Sequence, residues 1–500
     1  INQKEKNLKK RYISNGDGVK MRMGKNSISG GLIWTFGERI AAQLVSTVIT
    51  IVLARILLPE YYGMISIVTI FISLCDVFVT SGMGTALVQK KNVDEEDYNT
   101  AFIISISIAA FLYIVLFFLA PLISRFYMMD NLTWVIRVMA LRLPLAAINS
   151  IQQAHVQRAM AFKRFFIATL SGTLMSGFVG LYLAMNGYGV WALVFQYLTN
   201  TTVNTIVLFF VEKWIPKVQF SLDKAKEIYS FGWKVLATEL VYTLENNMCG
   251  LIIGKMFGAA DLAFFDQGKK YPATFVDNIN SAINKVMLPA YSRYQEDLKQ
   301  LKDMLRKSIS VGAFLLAPIL IGFAVVSDTF ISVVLTEKWL FCSPYIKIFC
   351  FMYLTRPLET ACHQALLAVG KSDTVLRVMI IINSVDFTLL LIAAWCFKSV
   401  LFIAVGTLIT ALVSLSCFMY CSNKILEYKL REQVSDIGPV LLCSFVMGGI
   451  VSLVGLLVEN QVVLLIMQII IGALVYIALA KIANLTGFQY ICKRFCLKKW

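Results

Sequence analysis

The sequence predicts an all-α integral membrane protein with about fourteen transmembrane helices. Apolar residues make up 58% of the 500-residue chain, the mean hydropathy is +0.71, and only 15% of the residues are charged. Water-soluble domains of this length are much less apolar. Stretches of about 20 apolar residues, the length that crosses a bilayer, recur along the whole chain. They are centred near residues 43, 73, 110, 144, 176, 200, 242, 274, 317, 355, 386, 410, 448 and 471.

Three of these stretches contain a proline near their centre. Pro144, Pro272 and Pro357 are expected to interrupt spans four, eight and ten, because proline removes a helical hydrogen bond and crowds the preceding turn. The pattern therefore does not fix the ends of these spans, and twelve or thirteen spans also fit it.

Basic residues are distributed unequally between the two sides of the predicted bundle. The net charge is +16, and many of the lysines and arginines lie before residue 26 or after residue 480. With both termini on one side, the opposite loops contain only Arg55, Arg125, Lys255, Lys338 and Lys398. The positive-inside rule then places both termini in the cytoplasm.

The order of apolar and polar segments predicts two lobes of six spans each. A polar segment divides the chain after the sixth span, and two spans with almost no internal charge follow the twelfth. We predict a cytoplasmic polar leader (1–25), a first lobe (26–211), a cytoplasmic linker (212–229), a second lobe (230–425), an appended helix pair (426–484) and a basic cytoplasmic tail (485–500).

Short sequence matches recur in the same order in both lobes. They pair Phe36-Gly37 with Phe231-Gly232, Leu53-Ala54-Arg55 with Ile253-Gly254-Lys255, and Arg142-Leu143-Pro144 with Arg356-Pro357. Because six spans is an even number, two such lobes share one orientation and are related by an axis along the membrane normal. A pair of lobes of this kind encloses a central cavity.

Polar residues form stripes on four of the predicted helices, two in each lobe. Positions three or four residues apart share one helical face. The candidate cavity residues are Glu38, Arg39 and Gln43 in span one, Lys234, Glu239, Tyr242 and Glu245 in span seven, Asp266, Lys269, Lys270, Asp277 and Asn280 in span eight, and Arg356 in span ten.

These polar stripes have two interpretations. Neighbouring charges could form pairs that hold helices together, as Asp266 with Lys270 and Arg356 with Glu359. An ionisable side chain at the bilayer centre costs about 2.5–3.5 kcal/mol, however, and the whole set exceeds what helix packing requires. A hydrated cavity with a net positive charge explains the set, and it suits an anionic head group.

Single carboxylates interrupt two otherwise apolar spans. Asp76 and Asp386 could each bind H+ or Na+ and couple transport to a gradient. Each could equally cap a neighbouring helix or accept a hydrogen bond from a serine. The sequence leaves both alternatives open.

Motifs for enzymatic or ATP-driven chemistry are missing from the sequence. The outer loops are short, the two histidines (His155 and His363) have no second ligand nearby, and no nucleotide-binding motif is present. We therefore expect neither catalytic residues, nor a metal site, nor a cofactor, nor a nucleic-acid partner.

Three segments resemble the Wzx-type polysaccharide and O-antigen flippases, a polysaccharide-export family of the MATE-like MOP superfamily. They are GLIWTFGERIAAQLVSTVITIVLARILLPEYYGMISIV, SGMGTALVQKK and FFDQGKKYPATFVDNINSAINKVMLPAYSRYQED. The likeness extends over roughly residues 27–425. It implies a bundle of two six-helix lobes that opens alternately to either face, with two extra helices. It also implies that Arg39, Lys269, Lys270 and Lys234 contact the substrate's head group.

The function that this resemblance implies is the transfer of a lipid-linked oligosaccharide, carried on undecaprenyl pyrophosphate, to the outer leaflet. The protein is then expected to be a monomer in the bacterial cytoplasmic (inner) membrane. It would supply a glycan polymerase in the synthesis of a capsule, lipopolysaccharide or another surface polysaccharide. Two alternatives are a cation-coupled drug or solute exporter of the same fold, and a membrane glycan polymerase or ligase.

Overall fold

The computed structural model describes residues 43–81, 83–91, 93–159, 162–212, 214–295 and 297–496, and every regular element in these ranges is a helix. The first half contains α1 (Gln43–Ile56), α2 (Pro59–Asp76), α3 (Met83–Gln89), α4 (Glu95–Tyr127), α5 (Leu132–Met139), α6 (Arg142–Arg158), α7 (Phe162–Met185) and α8 (Val190–Glu212).

The second half follows a linker, of which residues 214–221 are described. It contains α9 (Leu222–Met256), α10 (Ala259–Ser292), α11 (Leu298–Phe330), α12 (Ser343–Tyr353), α13 (Arg356–Ala368), α14 (Ser372–Ile392), α15 (Val400–Ile425), α16 (Leu430–Val454), α17 (Gln461–Ile482) and α18 (Thr486–Cys496). The predicted all-α architecture is therefore confirmed.

Ten helical segments of the described chain are long and apolar enough to cross a membrane. The other four predicted spans coincide with α1, α9, α10 and the interrupted pair α12 and α13. The described part of α1 is shorter than a full span, and α9 and α10 are more polar than the ten. The chain is a multi-pass membrane protein, and the count of fourteen spans stays a prediction.

Two of the membrane segments are broken at corresponding places. In the first half α5 ends at Met139 and α6 begins at Arg142, and in the second half α12 ends at Tyr353 and α13 begins at Arg356. Each break lies just before an arginine that is followed by a proline within two residues. The internal duplication was inferred in part from these same two arginines.

The expected interruption at Pro272 is wrong. Helix α10 continues through this residue from Ala259 to Ser292. A proline removes one backbone hydrogen bond, but a membrane helix tolerates this loss where neighbouring helices hold both of its flanks. Here Gly268, one turn earlier, packs so closely on α12 that an added Cβ would lie 2.4 Å from the Cβ of Tyr345.

Small residues permit close helix packing within the first half. A Cβ added to Gly172 of α7 would lie 2.9 Å from the carbonyl oxygen of Asn200 in α8, and one added to Gly180 would lie 3.2 Å from the Cβ of Gln196. The spacing of Gly172 and Gly180 predicts such an approach. The polar residues Gln196 and Asn200 of α8 therefore lie directly against α7.

The two halves touch directly at the end of the bundle that carries the α1–α2 corner. Helix α2 packs on α10, and a Cβ added to Gly63 would lie 1.7 Å from the carbonyl oxygen of Ala259. No side chain fits in that space. We call this contact region, formed by residues 53–63, 256–262 and 336–346, the sealed face.

Two side chains of the second half close the sealed face further. The indole Nε1 of the fully buried Trp339 donates to the carbonyl oxygen of Ala54 at 2.8 Å. The Nζ of Lys338 donates to the carbonyl oxygens of Arg55 and Leu57 at 2.8 and 2.7 Å. These carbonyls belong to the last turn of α1 and to the corner after it, where no backbone N–H of the helix is available to donate to them.

The opposite end of the bundle carries the linker. The Nζ of Lys224, in the first turn of α9, is hydrogen-bonded to Asp94 and lies 3.0 Å from Glu96. Lys90 pairs with Glu227 at 2.7 Å and with Asp97 at 2.9 Å. Ion pairs therefore attach the start of the second half to the first turn of α4.

The C-terminal helices pack on the flank of the second half. Arg306 of α11 donates to Asp436 of α16 through Nε at 2.7 Å and Nη2 at 2.8 Å. The Tyr476 hydroxyl of α17 donates to the carbonyl oxygen of Phe314 at 3.0 Å. Much of the predicted basic tail is the helix α18, which also packs on α11.

Candidate functional site

A polar cavity of about 320 Å³ lies at the junction of the two halves, beside the sealed face. Helices α1, α2, α6, α7 and α8 of the first half form most of its wall, and Lys270 of α10 reaches it from the second half. Lining groups include Thr50, Tyr62, Arg142 and Asn200. Polar and apolar groups share the wall about equally, which favours a hydrophilic ligand over a lipid tail.

Two cations from different halves of the chain line this cavity. Lys270 is exposed to it. Arg142, the first residue of α6, lies 3.5 Å from the Asp76 carboxylate at the end of α2, which holds the guanidinium in place. Arg142 follows the helix break directly, and its side chain lines the cavity. Since Asp76 neutralises one of the two cations, Lys270 supplies the net positive charge.

The predicted stripe on α10 begins at a contact between the two halves. The Asp266 carboxylate lies close enough to Ser66 of α2, and to Lys269 and Lys270, to interact with them electrostatically. Of the two helix-packing pairs considered, Asp266 with Lys270 is therefore not a direct contact. Asp266 helps to join the halves and leaves Lys270 free to face the cavity.

A group of acidic residues lies between α9 and α14. The side-chain amide of Asn383 donates to the Glu245 carboxylate at 3.1 Å. Asp386, one turn further along α14, is close enough to Glu245 and to Cys249 to interact with both electrostatically. Two neighbouring carboxylates such as Glu245 and Asp386 attract a positive charge.

A second group of charged and polar residues lies near the buried ring of Tyr353. The guanidinium of Arg356 lies 6.0 Å from the ring centre, and Tyr242 of α9 and Asp277 of α10 are also in its electrostatic range. Arg356 lies 3.9 Å from Glu359, so this predicted helix-packing pair is present. Arg356 is the first residue of α13, directly after a helix break, just as Arg142 is the first residue of α6.

The remaining candidates do not form a cluster around the cavity. Lys234 and Glu239 are exposed on α9, Gln43 is exposed at the start of the described part of α1, and Asn280 is half-buried on α10. Glu38 and Arg39 lie outside the described residues. The structure thus brings Lys270, Lys269 and Asp266 together, Arg356 with Tyr242 and Asp277, and Glu245 with Asp386.

Sequence reasoning omitted the cavity residues of α6 and α8 from its candidates. Arg142 was visible, because it matches Arg356 in the proposed duplication. Gln196 and Asn200, and likewise Tyr197 and Thr201, are spaced by one helical turn and form a polar stripe on α8. This stripe contains no charged residue, and the sequence prediction was based on charged residues within the spans.

A second cavity, of about 490 Å³, is almost entirely apolar. It lies between the ends of α2, α4, α9 and α14, with Phe71, Phe126 and Trp395 in its wall. The Nζ of Lys255 donates to the carbonyl oxygen of Phe126 and lies 4.4 Å from the centre of its ring. Lys255 therefore caps the C-terminus of α4.

Fold and cavity together define the class: a multi-pass membrane protein built from two helical halves around a polar, cationic space. The chain belongs to the family described as polysaccharide biosynthesis protein, which matches residues 52–344. The resemblance to polysaccharide-export proteins is thereby confirmed.

Three curated relatives have names from the same area of biology. The chain is 25% identical over 299 residues to the teichuronic acid biosynthesis protein TuaB of Bacillus subtilis, which covers 59% of this chain and 62% of TuaB. It is 21% identical over 311 residues to the succinoglycan biosynthesis transport protein ExoT of Rhizobium meliloti, covering 62% of each. It is 23% identical over 328 residues to the lipopolysaccharide biosynthesis protein WzxC of Escherichia coli, covering 64% of this chain and 66% of WzxC.

Two solved structures share the fold. The lipid II flippase MurJ in an inward closed conformation superposes with a TM-score of 0.75 at 14% identity, over 90% of this chain and 98% of MurJ. An inward-facing multidrug resistance MATE family transporter of the MOP superfamily superposes with a TM-score of 0.60 at 13% identity, over 78% of this chain and 96% of the transporter. The predicted MATE-like architecture is confirmed.

Proposed function

We propose that the protein is a flippase for a lipid-linked oligosaccharide in the synthesis of a surface polysaccharide. The observation that carries this proposal is the meeting of Lys270 and Arg142, from different halves of the chain, in one polar cavity. Membership in a polysaccharide biosynthesis family supports it. The substrate would be a glycan on undecaprenyl pyrophosphate, the protein would act as a monomer in the bacterial cytoplasmic membrane with both termini inside, and its product would feed a glycan polymerase.

The chemistry of the cavity suits the head group of such a lipid. A pyrophosphate that leaves water must replace its lost hydration, and an ammonium and a guanidinium do so with charge-assisted hydrogen bonds. Lys270 would contact the pyrophosphate first, and Arg142 would join it. The polyprenyl tail would stay in the bilayer, since half of the cavity wall is polar.

Transport would require the cavity to open alternately to the two membrane faces. In the present structure the halves are in contact at the sealed face, through Gly63 against Ala259 and through Trp339 on Ala54. Rocking of one half against the other would separate these contacts and close the bundle at the opposite end, where ion pairs already attach the start of α9 to α4. Opening would break the hydrogen bonds from Trp339 and Lys338 to the carbonyls at the α1–α2 corner, and water would replace them.

Coupling to an ion gradient is the second part of the proposal, and the two aspartates predicted for it differ. Asp76 is paired with Arg142, whereas Asp386 lies beside Glu245. We therefore assign an H+ or Na+ coupling role to Asp386 and a positioning role to Asp76. Asp386→Asn should abolish the dependence of transport on the ion gradient, while Asp76→Asn should preserve that dependence.

The test of the flippase proposal is removal of the Lys270 charge in cells that depend on this protein. Lys270→Ala should accumulate lipid-linked precursor in the cytoplasmic leaflet and abolish the surface glycan at a normal protein level. The matched control is Lys307→Ala, which removes one charge from the exposed surface of α11. Leaflet assignment would use a membrane-impermeant reagent that modifies the sugar.

Other results would contradict the proposal in distinct ways. A wild-type surface glycan in the Lys270→Ala strain would remove the cation from the mechanism. Loss of drug efflux with normal glycan would identify an exporter. A change in glycan length or attachment without precursor accumulation would identify a polymerase or ligase.

A further inference from the structure

One wall of the cavity carries no charge. The lining residues from α7 and α8 include Thr173, Ser176, Gln196, Asn200 and Thr201, which offer only hydroxyl and amide groups. The cations Lys270 and Arg142 come from other helices. The cavity therefore combines a neutral polar wall with a cationic edge, and these two parts suit different chemical groups.

The hydroxyls of the neutral wall have free acceptor capacity. Thr173 and Thr201 each donate to a backbone carbonyl one turn earlier in their own helices, at 2.9 and 3.2 Å. A hydroxyl that donates in this way keeps its lone pairs as acceptors. Asn200 contacts the Ser176 hydroxyl only at 3.4 Å, which is long for a hydrogen bond. The amide and hydroxyls can thus bind a ligand that both donates and accepts.

Two buried polar atoms at the cavity also lack a partner among the residues that the structure describes. They are the Tyr62 hydroxyl and the Nε of Arg142. The Tyr62 ring is held edge-on against Trp339, with ring centres 5.3 Å apart, so its position is fixed by the sealed face. A buried group without a partner costs about 1–3 kcal/mol, which a ligand that hydrogen-bonds to it would offset.

We infer that this neutral wall is a carbohydrate subsite. It would bind the sugar attached directly to the pyrophosphate, with the phosphates at Lys270 and Arg142. Sugar hydroxyls both donate and accept, as the Asn and Gln amides and the Thr, Ser and Tyr hydroxyls do. The volume of about 320 Å³ is at the small end of ligand sites, so the subsite holds one or two rings and the rest of the glycan extends out of it.

This inference rests on the proposed flippase function and adds a specific ligand contact to it. An amine or peptide ligand fits less well, because the lining residues include no carboxylate and the nearby Asp76 is occupied by Arg142. An acyl chain would leave the amides and the Tyr62 hydroxyl without partners.

The experiment compares the binding of two lipids to the purified full-length protein. One probe is undecaprenyl pyrophosphate without sugar, and the other is the glycosylated lipid extracted from cells that lack this protein. The principal variant is Tyr62→Phe, which removes only the unpartnered hydroxyl. The matched control is Tyr271→Phe, which removes another buried, unpartnered hydroxyl, from a residue outside the cavity lining. Gln196→Leu is a second variant, on α8 in the neutral wall.

We expect Tyr62→Phe to weaken binding of the glycosylated lipid by about 3- to 10-fold, the effect of one lost hydrogen bond, and to leave binding of undecaprenyl pyrophosphate unchanged. Gln196→Leu should do the same, Tyr271→Phe should change neither, and Lys270→Ala should weaken both. Equal effects of Tyr62→Phe on both lipids, or no effect on either, would overturn the carbohydrate subsite and leave the flippase proposal standing. Failure of the wild-type protein to bind either lipid would overturn both.

Discussion

At the sealed face the two halves of the protein meet backbone to backbone, whereas at the cavity a polar space separates them. The sealed face relies on a glycine that admits no side chain, on a buried tryptophan and on two capped carbonyls. The cavity relies on charges and amides that need a ligand or water. Tight packing and the proposed substrate binding thus lie in different regions of one interface, so substitutions can separate an effect on stability from an effect on the proposed transport.

The largest effect is expected from Gly63→Leu on the sealed face. An added Cβ would overlap the carbonyl of Ala259, and a backbone group cannot move aside as a flexible side chain can. We expect a loss of at least about 3 kcal/mol of stability, a lower melting temperature, and faster maleimide labelling of the buried Cys342, located by peptide mass spectrometry. Gly449→Leu is the control, because nothing lies within 4 Å of a Cβ added there. Similar melting of both variants would show that the sealed face is not tightly packed.

A smaller effect is expected from Arg142→Leu in the cavity. The variant leaves the partly buried Asp76 without its partner, which should cost about 1–3 kcal/mol. The double variant Arg142→Leu/Asp76→Leu should recover most of the melting temperature but no transport, since the cation is still missing. Restored transport in the double variant would show that Arg142 serves the fold alone.

Trp339→Phe should have a modest effect on the sealed face. The change removes the hydrogen bond to Ala54 but keeps an aromatic ring against Tyr62, and about 1–2 kcal/mol of stability should be lost. Thermal melting in detergent measures the loss. The exposed Trp395 provides the comparison, because Trp395→Phe should leave the melting temperature unchanged. A larger loss for Trp395→Phe would contradict this assignment.

The smallest effect concerns the ion pairs of the linker. The hydrogen bond from Lys224 lowers the pKa of the Asp94 carboxyl to about 2. A pKa depressed on folding stabilises the attachment above the ordinary value of about 3.9, and this contribution disappears only as the pH falls toward 2. The protection factor of residues 214–221, which is the exchange rate of the unfolded chain at each pH divided by the measured rate, should therefore be the same at pH 8 and pH 5. It should fall in 1 M salt or in Lys224→Ala, because the pairs are exposed, and a fall between pH 8 and pH 5 would contradict the assignment.

Much of the fold followed from the apolar pattern, because hydrophobic length and breaks at loops are local properties of a chain. The predicted spans coincide with helices throughout the described residues, including the polar α9 and α10. The expectation for Pro272 was wrong because the effect of a proline depends on its neighbours: α10 continues through it, with Gly268 packed closely on α12. The interruptions before Arg142 and Arg356 were located only approximately, since each lies a few residues before its proline.

The site was predicted less completely than the fold. Of the predicted candidates, Lys270 lines the cavity, and it was selected because a charge in a membrane helix is costly wherever it occurs. The neutral stripe of Gln196, Tyr197 and Asn200 was missed, because amides and hydroxyls are common in membrane helices and usually bond to their neighbours. Their place with Lys270 in the lining of one cavity depends on how the helices of the two halves pack.

By itself, the sequence determined that this protein is a helical membrane bundle with more basic charge toward its ends and several costly ions in its spans. Hydropathy and charge are summed along the chain, so no partner is needed to evaluate them. Only the tertiary structure decided which ions are neutralised and which are available: Asp76 pairs with Arg142, Asp266 lies near Ser66, and Lys270 faces the cavity. Electrostatic energy depends on distances between residues that are far apart in sequence, and folding alone sets those distances.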